Sequence, residues 1–470
     1  MTATRRVLMV SPHFPPDSSA ATHRVRLLAP ALGALGWEPT VLTLTPESYE
    51  GVLEPALLDL VPAGVRVERV AAWPAARTRV IGVGDLGLRA WTALHRRARA
   101  LLEVEHYDVL FWTVYPTWPA ASGPALAHAA GAAFVLDLQD PWVGAWGDSV
   151  GGGADGRPDL RSRVSRLLSV PLERRTVSGA DGLSAVSQGT LDALARRVPA
   201  VRELPQAEVP LVAGDADLAW ALRARSGSGA RNTAAWDARD GRLHVAWIGT
   251  LLPHGIVVLR ALLDGLAEAV RRDAALADRV RVHFVGTSNE SRADAPLRAL
   301  SVARDAGVLA LVTEHAPRVG YRDALRLLAD ADAVLLGGST EAHYTASRLY
   351  PTLLGGAPLL AAYRDDSHAM AMLRAVVQPP VNHLVSFGAA GPDAATVRAA
   401  ADGWRAIAAT RSRDATARGG AGGVAGSVAG DAMSTEATGP SRVAPFAHDA
   451  AIRLAALLDA ACLHRSRRSP

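Results

Sequence analysis

A strand–turn–helix–strand pattern over residues 331–364 constrains the fold of this chain more than any other stretch. An apolar run at 333–336 leads into a small polar turn at 337–340, and a short helix is predicted to begin near Thr345 or Ser347. A glycine pair ends this helix, and a second apolar run follows. This order is typical of a parallel sheet, in which ligands bind where strands end. The helix N-terminus also offers unpaired backbone N–H groups, which suit a phosphate.

Alternating strands and helices recur on both sides of an interruption in the chain. The alternation predicts an α/β fold with two doubly wound, Rossmann-like parallel-sheet domains, at residues 1–205 and 242–410, that face a cleft. Residues 206–241 have few strand signals, which is typical of an interdomain segment. Residues 411–444 contain almost no large apolar side chains and are predicted to form a disordered loop. A C-terminal helix with a basic tail is predicted at 445–470.

Charge and residue types exclude several functions. The 470 residues include 50 basic and 46 acidic side chains, so the formal net charge of +4 is small for this length. No stretch alternates basic with aromatic residues, and nucleic-acid binding is therefore not indicated. The chain contains no lysine, which excludes a Walker-type phosphate loop and Schiff-base chemistry. Cys462 is the only cysteine, which excludes an internal disulfide and a cysteine metal site.

The apolar runs indicate where the protein is located. The first run, at 7–10, is too short for a signal peptide or a membrane span, and no later run approaches about 20 uninterrupted apolar residues. We therefore expect a cytoplasmic protein. A predicted helix at 85–103 carries a basic face around Arg96 that could dock on the inner face of an anionic membrane, although a solvated helix face is the more common explanation.

Three side chains of the first domain are catalytic candidates. His13 lies in the loop after the first strand, where a doubly wound sheet binds ligands, and could act there together with His23 and Arg24. Asp137 and Asp140 lie at the end of a buried strand in the run DLQDPW. A carboxylate at this position could orient an acceptor hydroxyl or accept its proton. It could equally cap the next helix or pair with an arginine.

Small residues follow two predicted strands of the second domain. Gly249-Thr250 ends one strand, and Gly286-Thr287 ends the next. Small residues allow a diphosphate to approach the backbone closely. The first of these loops reads GTLLPHGI, and His254 is its only candidate cation. A histidine with its ordinary pKa is mostly neutral at pH 7.

Several ordered motifs resemble GT-B glycosyltransferases of family 4. They are VLMVSPHFPPDSSAATHRVRLLAPALGALGWEPTVLT, FVLDLQDPW, ADGLSAVSQGT, GYRDALRLLADADAVLLGG and YTASRLYPTLLGGAPLLA, and together they span about residues 5–390. The resemblance implies an acceptor-binding N-terminal domain and a donor-binding C-terminal domain. It also implies transfer of a sugar from a nucleoside diphosphate sugar, usually with retention and without a metal. The donor is then a substrate, and no cofactor is expected.

The resemblance also implies a set of donor contacts. The loop around Arg318 and Val319 corresponds to the family's base-contacting loop, and Arg348 stands where the family usually has lysine. Further candidates for contacts to phosphate or ribose are Glu341, Tyr344, Thr345 and Ser347. The sequence departs from the family in one respect. The two glutamates of the usual Glu-x7-Glu pair are replaced by His343 and Pro351.

Three functions remain open at this point. The first is a glycosyltransferase that acts on a carbohydrate or lipid-linked acceptor, in the synthesis of cell-surface polysaccharide or glycoconjugates. The second is a sugar-nucleotide epimerase on the same two-domain frame. The third is a catalytically degenerate protein that still binds sugar nucleotides. The missing glutamates and lysine favour the third function, whereas the retained DLQDPW and YTAS motifs favour the first.

Overall fold

Two parallel β-sheets form the framework of the chain, and each has its own core. The computed structural model describes residues 4–80, 83–143, 160–214, 217, 219–220, 232–233, 235–237, 240–288, 294–340, 349–354, 356–377, 382–419 and 444–468. The chain divides into two compact units. The first unit comprises Met1–Val212 with Pro445–Pro470, and the second comprises Ala213–Ala444.

The first unit alternates strands and helices from its N-terminus. Its elements before the interdomain region are β1 (Arg5–Val10), α1 (Thr22–Gly33), β2 (Trp37–Leu44), β3 (Arg66–Val70), α2 (Ala75–Arg79), α3 (Leu86–Val104), β4 (Val109–Val114), α4 (Gly123–Ala129), β5 (Ala133–Leu138), α5 (Leu160–Ser178), β6 (Gly182–Ala185), α6 (Gln188–Arg197) and β7 (Gln206–Glu208). All pairings in this sheet are parallel, in the order β3-β2-β1-β4-β5-β6-β7.

The second unit repeats this architecture. Its elements are β8 (Asn232–Thr233), β9 (Trp236–Asp237), β10 (Leu243–Ile248), α7 (Ile256–Arg272), α8 (Leu276–Arg279), β11 (Val280–Val285), α9 (Arg298–Asp305), β12 (Val312–His315), α10 (Tyr321–Asp330), β13 (Ala333–Gly337), α11 (Leu349–Leu354), β14 (Leu359–Arg364), α12 (His368–Val376), β15 (His383–Phe387) and α13 (Ala394–Gly419). The larger sheet is all-parallel, in the order β12-β11-β10-β13-β14-β15, and β8 and β9 form a small antiparallel hairpin. The predicted α/β fold with two doubly wound sheets is confirmed.

The C-terminal helix α14 (Ala444–Arg468) belongs to the first unit. It packs with α1 on the face of the first sheet that carries Val7, Met9 and Phe111. Two polar contacts hold it there. Asp459 of α14 pairs with Arg5 at 2.7 Å and accepts a hydrogen bond from Trp37 Nε1 at 3.2 Å.

Two predicted domain boundaries are corrected by the structure. The first domain does not end at residue 205, because 206–208 pair with β6 as an edge strand. Its sequence, Gln-Ala-Glu, lacks the apolar run that identifies the other strands, so it gave no strand signal. Helix α13 continues to Gly419, beyond the predicted limit at 410. The remainder of the predicted disordered loop, 420–443, lies outside the described residues.

A buried ion pair joins four segments of the first unit. Arg24 of α1 contacts the carboxylate of Asp137 in β5 through two bonds, at 2.6 and 3.0 Å, and both side chains are almost fully buried. Ser184 of β6 donates to the same carboxylate at 2.7 Å. The remaining guanidinium nitrogen of Arg24 donates to the carbonyls of Val209 and Pro210, just after β7. Every charged group in this cluster is therefore satisfied by hydrogen bonds.

Removing Arg24 is expected to destabilise the first unit strongly. Arg24→Ala leaves the Asp137 carboxylate buried without its counter-ion, and such changes cost about 3–5 kcal/mol. Urea unfolding followed by tryptophan fluorescence would measure the loss. Arg99→Ala is the matched control, because Arg99 pairs with Glu103 on an exposed helix surface and such pairs contribute about 1 kcal/mol or less. Equal effects of the two substitutions would contradict this account.

Candidate functional site

Each sheet has a position where the strand order reverses, and the loops that follow the strands there form the candidate sites. In the first unit this position lies between β1 and β4, and in the second it lies between β10 and β13. His13 follows β1, and Tyr115 follows β4. Gly249 follows β10, and the turn beginning at Gly338 follows β13. The sites of the two units are described separately below.

His13 forms a pair with Asp17 in the loop after β1. The two side chains approach to 2.6 Å through His13 Nδ1, and Asp17 also accepts hydrogen bonds from Ser19 and Thr22. Burial alone would raise the pKa of the Asp17 carboxyl, but the hydrogen bond and charge of His13 and the two hydroxyls hold that pKa below its ordinary value. Asp17 is therefore an ionised acceptor, and Nδ1 of His13 carries the hydrogen.

The other ring nitrogen of His13 is available for chemistry. With Nδ1 protonated, Nε2 carries the lone pair in the neutral ring and can accept a proton. Among the described residues, Nε2 has no hydrogen-bond partner. The ring lies between Tyr49 and Tyr115, with centroid distances of 6.0 and 5.4 Å. Tyr49 is fixed by donating to the Pro12 carbonyl at 3.0 Å, whereas Tyr115 is 45% exposed and can contact a ligand.

The two predicted carboxylates of the first unit occupy different environments. Asp140 follows β5 on the exposed rim and makes no ion pair with a described residue. Loss of hydration to the surrounding protein still raises the pKa of its carboxyl, and its charge helps to raise the pKa of Tyr115. Asp137 is enclosed by Arg24 and Ser184. This geometry favours the arginine-pairing alternative for Asp137 and leaves Asp140 and His13 as the available groups.

The structure corrects the predicted role of Arg24 and part of the predicted basic helix face. Arg24 is not available to a ligand at the loop after β1, because the buried ion pair uses its guanidinium group. On α3, Arg89 is buried and donates to the Trp73 carbonyl at 2.9 Å. Arg97 and Arg99 each pair with a glutamate, and Arg96 is exposed. The net positive charge of this face is therefore smaller than the sequence suggested.

Two glycines of the second unit adopt backbone conformations that favour glycine. Gly249 has φ +113° and Gly286 has φ +71°. A Cβ atom added to Gly286 would lie 3.5 Å from Val319 Cγ2 and 3.8 Å from the Gly249 backbone nitrogen. The fold thus brings Gly249, Gly286 and Val319 together. We call the backbone at Gly249 and the buried Gly286 the glycine cradle.

Some of the other predicted donor contacts lie in loops next to the glycine cradle. The rest lie outside the described residues. Thr287 is buried, and its hydroxyl donates to Glu314 at 2.5 Å. Thr250, His254 and Arg318 are half-buried in the neighbouring loops. The remaining predicted contacts, Glu341, Tyr344, Thr345, Ser347 and Arg348, lie outside the described residues.

The described part of the chain shows neither a metal-binding cluster nor a membrane-spanning helix. No group of three or more His, Cys, Asp or Glu residues there is placed to hold a metal ion. No described helix combines the length and apolar character needed to cross a bilayer.

Comparisons with known proteins agree with this architecture. Residues 19–211 match the family model described as a glycosyl transferase 4-like domain. The fold is similar to that of a UDP-forming trehalose-phosphate synthase from Burkholderia xenovorans, with a TM-score of 0.52, 10% identity and coverage of 99% of this chain and 97% of that one. The corresponding enzyme of Burkholderia vietnamiensis gives 0.51 and 10%, with 98% of each chain covered. A search of curated protein sequences gave no significant match.

A third similar structure is the N-terminal domain of a trehalose-6-phosphate phosphatase from Candida albicans. Its TM-score is 0.51 at 13% identity, with 97% of this chain and 95% of that one covered. The resemblance to GT-B glycosyltransferases is therefore confirmed. The chain has the GT-B fold, and its N-terminal part is similar to the glycosyl transferase 4-like domain.

Sequence reasoning missed two residues of the first site. Asp17 lies four residues after His13, and this spacing in a proline-rich loop could have indicated the pair. Tyr115 comes directly after a fully buried strand, β4, where a ligand-contacting residue is expected.

Asp140→Asn is expected to raise the free energy of unfolding at pH 7. The pKa of Asp140 is raised in the folded state, so the ionised carboxylate opposes folding once the pH exceeds its ordinary pKa of about 4. The advantage of the asparagine variant should therefore vanish below about pH 4 and grow as the pH rises through the folded-state pKa. Urea unfolding at several pH values would measure it.

Asp17→Asn is expected to have the opposite effect and to lower the free energy of unfolding at pH 7. The pKa of Asp17 is lowered, so the carboxylate contributes stability above its ordinary pKa, and this contribution is lost as the pH falls through the folded-state value. The substitution should cost about 1–3 kcal/mol at pH 7, because it weakens a buried hydrogen-bond network. If Asp140→Asn lowered the free energy of unfolding at pH 7 by as much as Asp17→Asn does, the raised pKa assigned to Asp140 would be contradicted.

Proposed function

We propose that the protein is a glycosyltransferase that moves a sugar from a nucleoside diphosphate sugar to an acceptor hydroxyl. The observation that carries this proposal is the His13–Asp17 pair. It lies at the strand-order reversal of the first sheet, a few residues before the part of the chain, 19–211, that matches the glycosyl transferase 4-like domain. An oriented histidine with an available ring nitrogen is what proton removal from a hydroxyl requires.

The second unit supplies the donor site in this proposal. We propose that a diphosphate approaches the backbone at the glycine cradle, since neither residue carries a side chain. The negative charge of the diphosphate would be balanced by Arg318, His254 and Arg348. Arg348 would take the place of the family's lysine. A uridine diphosphate sugar is the first donor to test, because the Burkholderia synthases that share the fold are UDP-forming.

The proton and bond changes follow from the first site. His13 Nε2 accepts the proton of the acceptor hydroxyl while Asp17 stabilises the resulting imidazolium through Nδ1. The acceptor oxygen forms its bond to the anomeric carbon on the face from which the diphosphate leaves, so the configuration is retained. The bond from that carbon to the diphosphate breaks and releases the nucleoside diphosphate. Asp140, with its raised pKa, is placed on the same rim to hold a second acceptor hydroxyl.

The finer features of the reaction are proposed from the family resemblance alone. These are retention at the anomeric carbon, independence of metal and the absence of a cofactor. The acceptor is proposed to be a carbohydrate or a lipid-linked glycan of cell-surface polysaccharide or glycoconjugate synthesis. This role in synthesis would place the protein in the cytoplasm, with peripheral contact at the inner membrane face if the acceptor is lipid-linked.

Donor binding is tested by calorimetry with a panel of nucleoside diphosphates and their sugars. We expect one nucleotide to bind, and we expect Gly286→Ala and Arg348→Ala each to weaken its binding about tenfold or more, which is about 1.4 kcal/mol. Gly307→Ala is the matched control for Gly286→Ala. Gly307 has a similar φ of +75° but no atom within 4 Å of an added Cβ. Absence of binding by any nucleotide at millimolar concentration would overturn the proposal.

Catalysis is tested by the release of nucleoside diphosphate from the donor that binds. His13→Ala should lower kcat by about 10²–10⁴-fold, because the general base is lost. Asp17→Asn should lower kcat less and shift the pH profile, because it changes the basicity of His13 without removing the ring. His106→Ala, at a histidine whose side chain is 76% exposed, is the control. Full turnover by His13→Ala with intact donor binding would refute the catalytic role.

A further inference from the structure

An open-sided cavity of about 510 Å³ lies in the second unit. Its walls come from the hairpin at Ala235, from β11 and β12, and from Asp323 and Arg326 of α10. Val319 also lines the cavity, and the same side chain lies against Gly286 of the glycine cradle. The cavity therefore adjoins the cradle within a single unit.

A hydrogen-bonded relay of four side chains ends in this cavity. Asp240 contacts His244 Nε2 at 2.9 Å, and His244 Nδ1 contacts His283 Nε2 at 2.9 Å. His283 Nδ1 then contacts the hydroxyl of Thr313 at 2.8 Å. His244 and His283 are buried and stack under Trp236 of the hairpin, with ring centroids 6.0 and 4.8 Å from the Trp236 ring. Thr313 is exposed to the cavity and is the last member of the relay.

The first member of the relay and the neutral ring of His244 together determine the direction of its hydrogen bonds. An ionised carboxylate can only accept, so His244 Nε2 carries a hydrogen, and in the neutral ring of His244 the other nitrogen, Nδ1, carries a lone pair. His283 Nε2 must then donate to that lone pair, which leaves His283 Nδ1 as an acceptor. Thr313 donates its only hydroxyl hydrogen to His283. Its oxygen therefore presents lone pairs, and no hydrogen, to the cavity.

Burial and the surrounding charges keep His283 neutral and Asp240 ionised at neutral pH. Burial lowers the pKa of His283 to about 4, and the neighbouring His244 and Arg281 act in the same direction while Asp240 opposes them. Burial would raise the pKa of Asp240, but the backbone hydrogen bond from Arg242 and the hydrogen bond from His244 hold it below its ordinary value. The other charged or titratable side chains that line the cavity make no hydrogen bond to the relay among the described residues. They are Asp323 and Arg326 of α10 and Glu314 and His315 of β12.

We propose that the cavity holds the base of the nucleotide donor and that Thr313 selects bases with a ring N–H, because the relay leaves its hydroxyl able only to accept. This inference rests on the proposed function and adds the class of base to it. A ring imide or lactam, as in uracil, thymine or guanine, offers the N–H that pairs with Thr313. Cytosine and adenine present a ring nitrogen with a lone pair, which repels the lone pairs of the hydroxyl. Arg326 on the rim can donate to a base carbonyl.

Calorimetry with UDP and N3-methyluridine diphosphate tests this selection, because methylation removes the ring N–H and leaves the diphosphate unchanged. We expect the wild-type protein to bind UDP at least tenfold more tightly than the methylated nucleotide. Thr313→Val, which keeps the shape and removes the acceptor, should weaken UDP binding about tenfold and abolish most of this discrimination. Thr78→Val in the first unit is the matched control and should behave as the wild type.

The outcomes separate this inference from the proposed function. If UDP binds and Thr313→Val discriminates as the wild type does, the role of Thr313 is overturned and the donor site stands. Equal binding of UDP and N3-methyluridine diphosphate by the wild-type protein also overturns the role of Thr313. If no nucleoside diphosphate binds the wild type, the proposed function fails and this inference fails with it.

Nuclear magnetic resonance of the histidine rings tests the relay without a ligand. Long-range ¹H–¹⁵N spectra at pH 7 should show both His244 and His283 as neutral rings with the hydrogen on Nε2. Thr313→Val should shift the Nδ1 resonance of His283, because that nitrogen loses its donor. A hydrogen on Nδ1 of His283 in the wild-type protein would reverse the relay and overturn the selection of a ring N–H.

Discussion

The buried pair of Arg24 and Asp137 is the interaction on which the first unit most depends. Two charges removed from water are stabilised only if their mutual attraction and their remaining hydrogen bonds offset the lost hydration. Here Ser184 and the two carbonyls after β7 complete the set. Because the partners come from α1, β5, β6 and the segment after β7, the pair fixes those segments relative to one another. The loop between β1 and α1, which carries His13, is therefore held at its α1 end by this pair.

The same reasoning separates structural from functional polar groups in both units. Asp137 is enclosed and hydrogen-bonded by Arg24 and Ser184, so its role is to stabilise the fold. His13 has one nitrogen fixed by Asp17 and the other available, so it can exchange a proton with a ligand. In the second unit, Thr313 is fixed by the relay on one side and exposed to a cavity on the other. A polar group that is held on one side and open on the other is suited to recognition or catalysis.

Most of the fold could be predicted from the sequence because the strands are buried on both faces. β4 and β5 are apolar except for Thr113 and Asp137, and all their residues are buried. The polar edge strand β7 has no such run and depends on pairing with β6, so no local pattern revealed it. The role of Asp137 could not be predicted from the sequence either, because its partner Arg24 lies 113 positions away. The relay needs residues from β10, β11 and β12, which only the folded sheet brings together.

The central claim is that the second unit binds the nucleotide donor at the glycine cradle. A crystal structure of the protein with UDP tests this most directly. We predict that the diphosphate lies against the backbone at Gly249-Thr250 and Gly286-Thr287, with the base beyond Val319. A nucleotide bound elsewhere on the protein, or no bound nucleotide at a saturating concentration of UDP, would contradict this account.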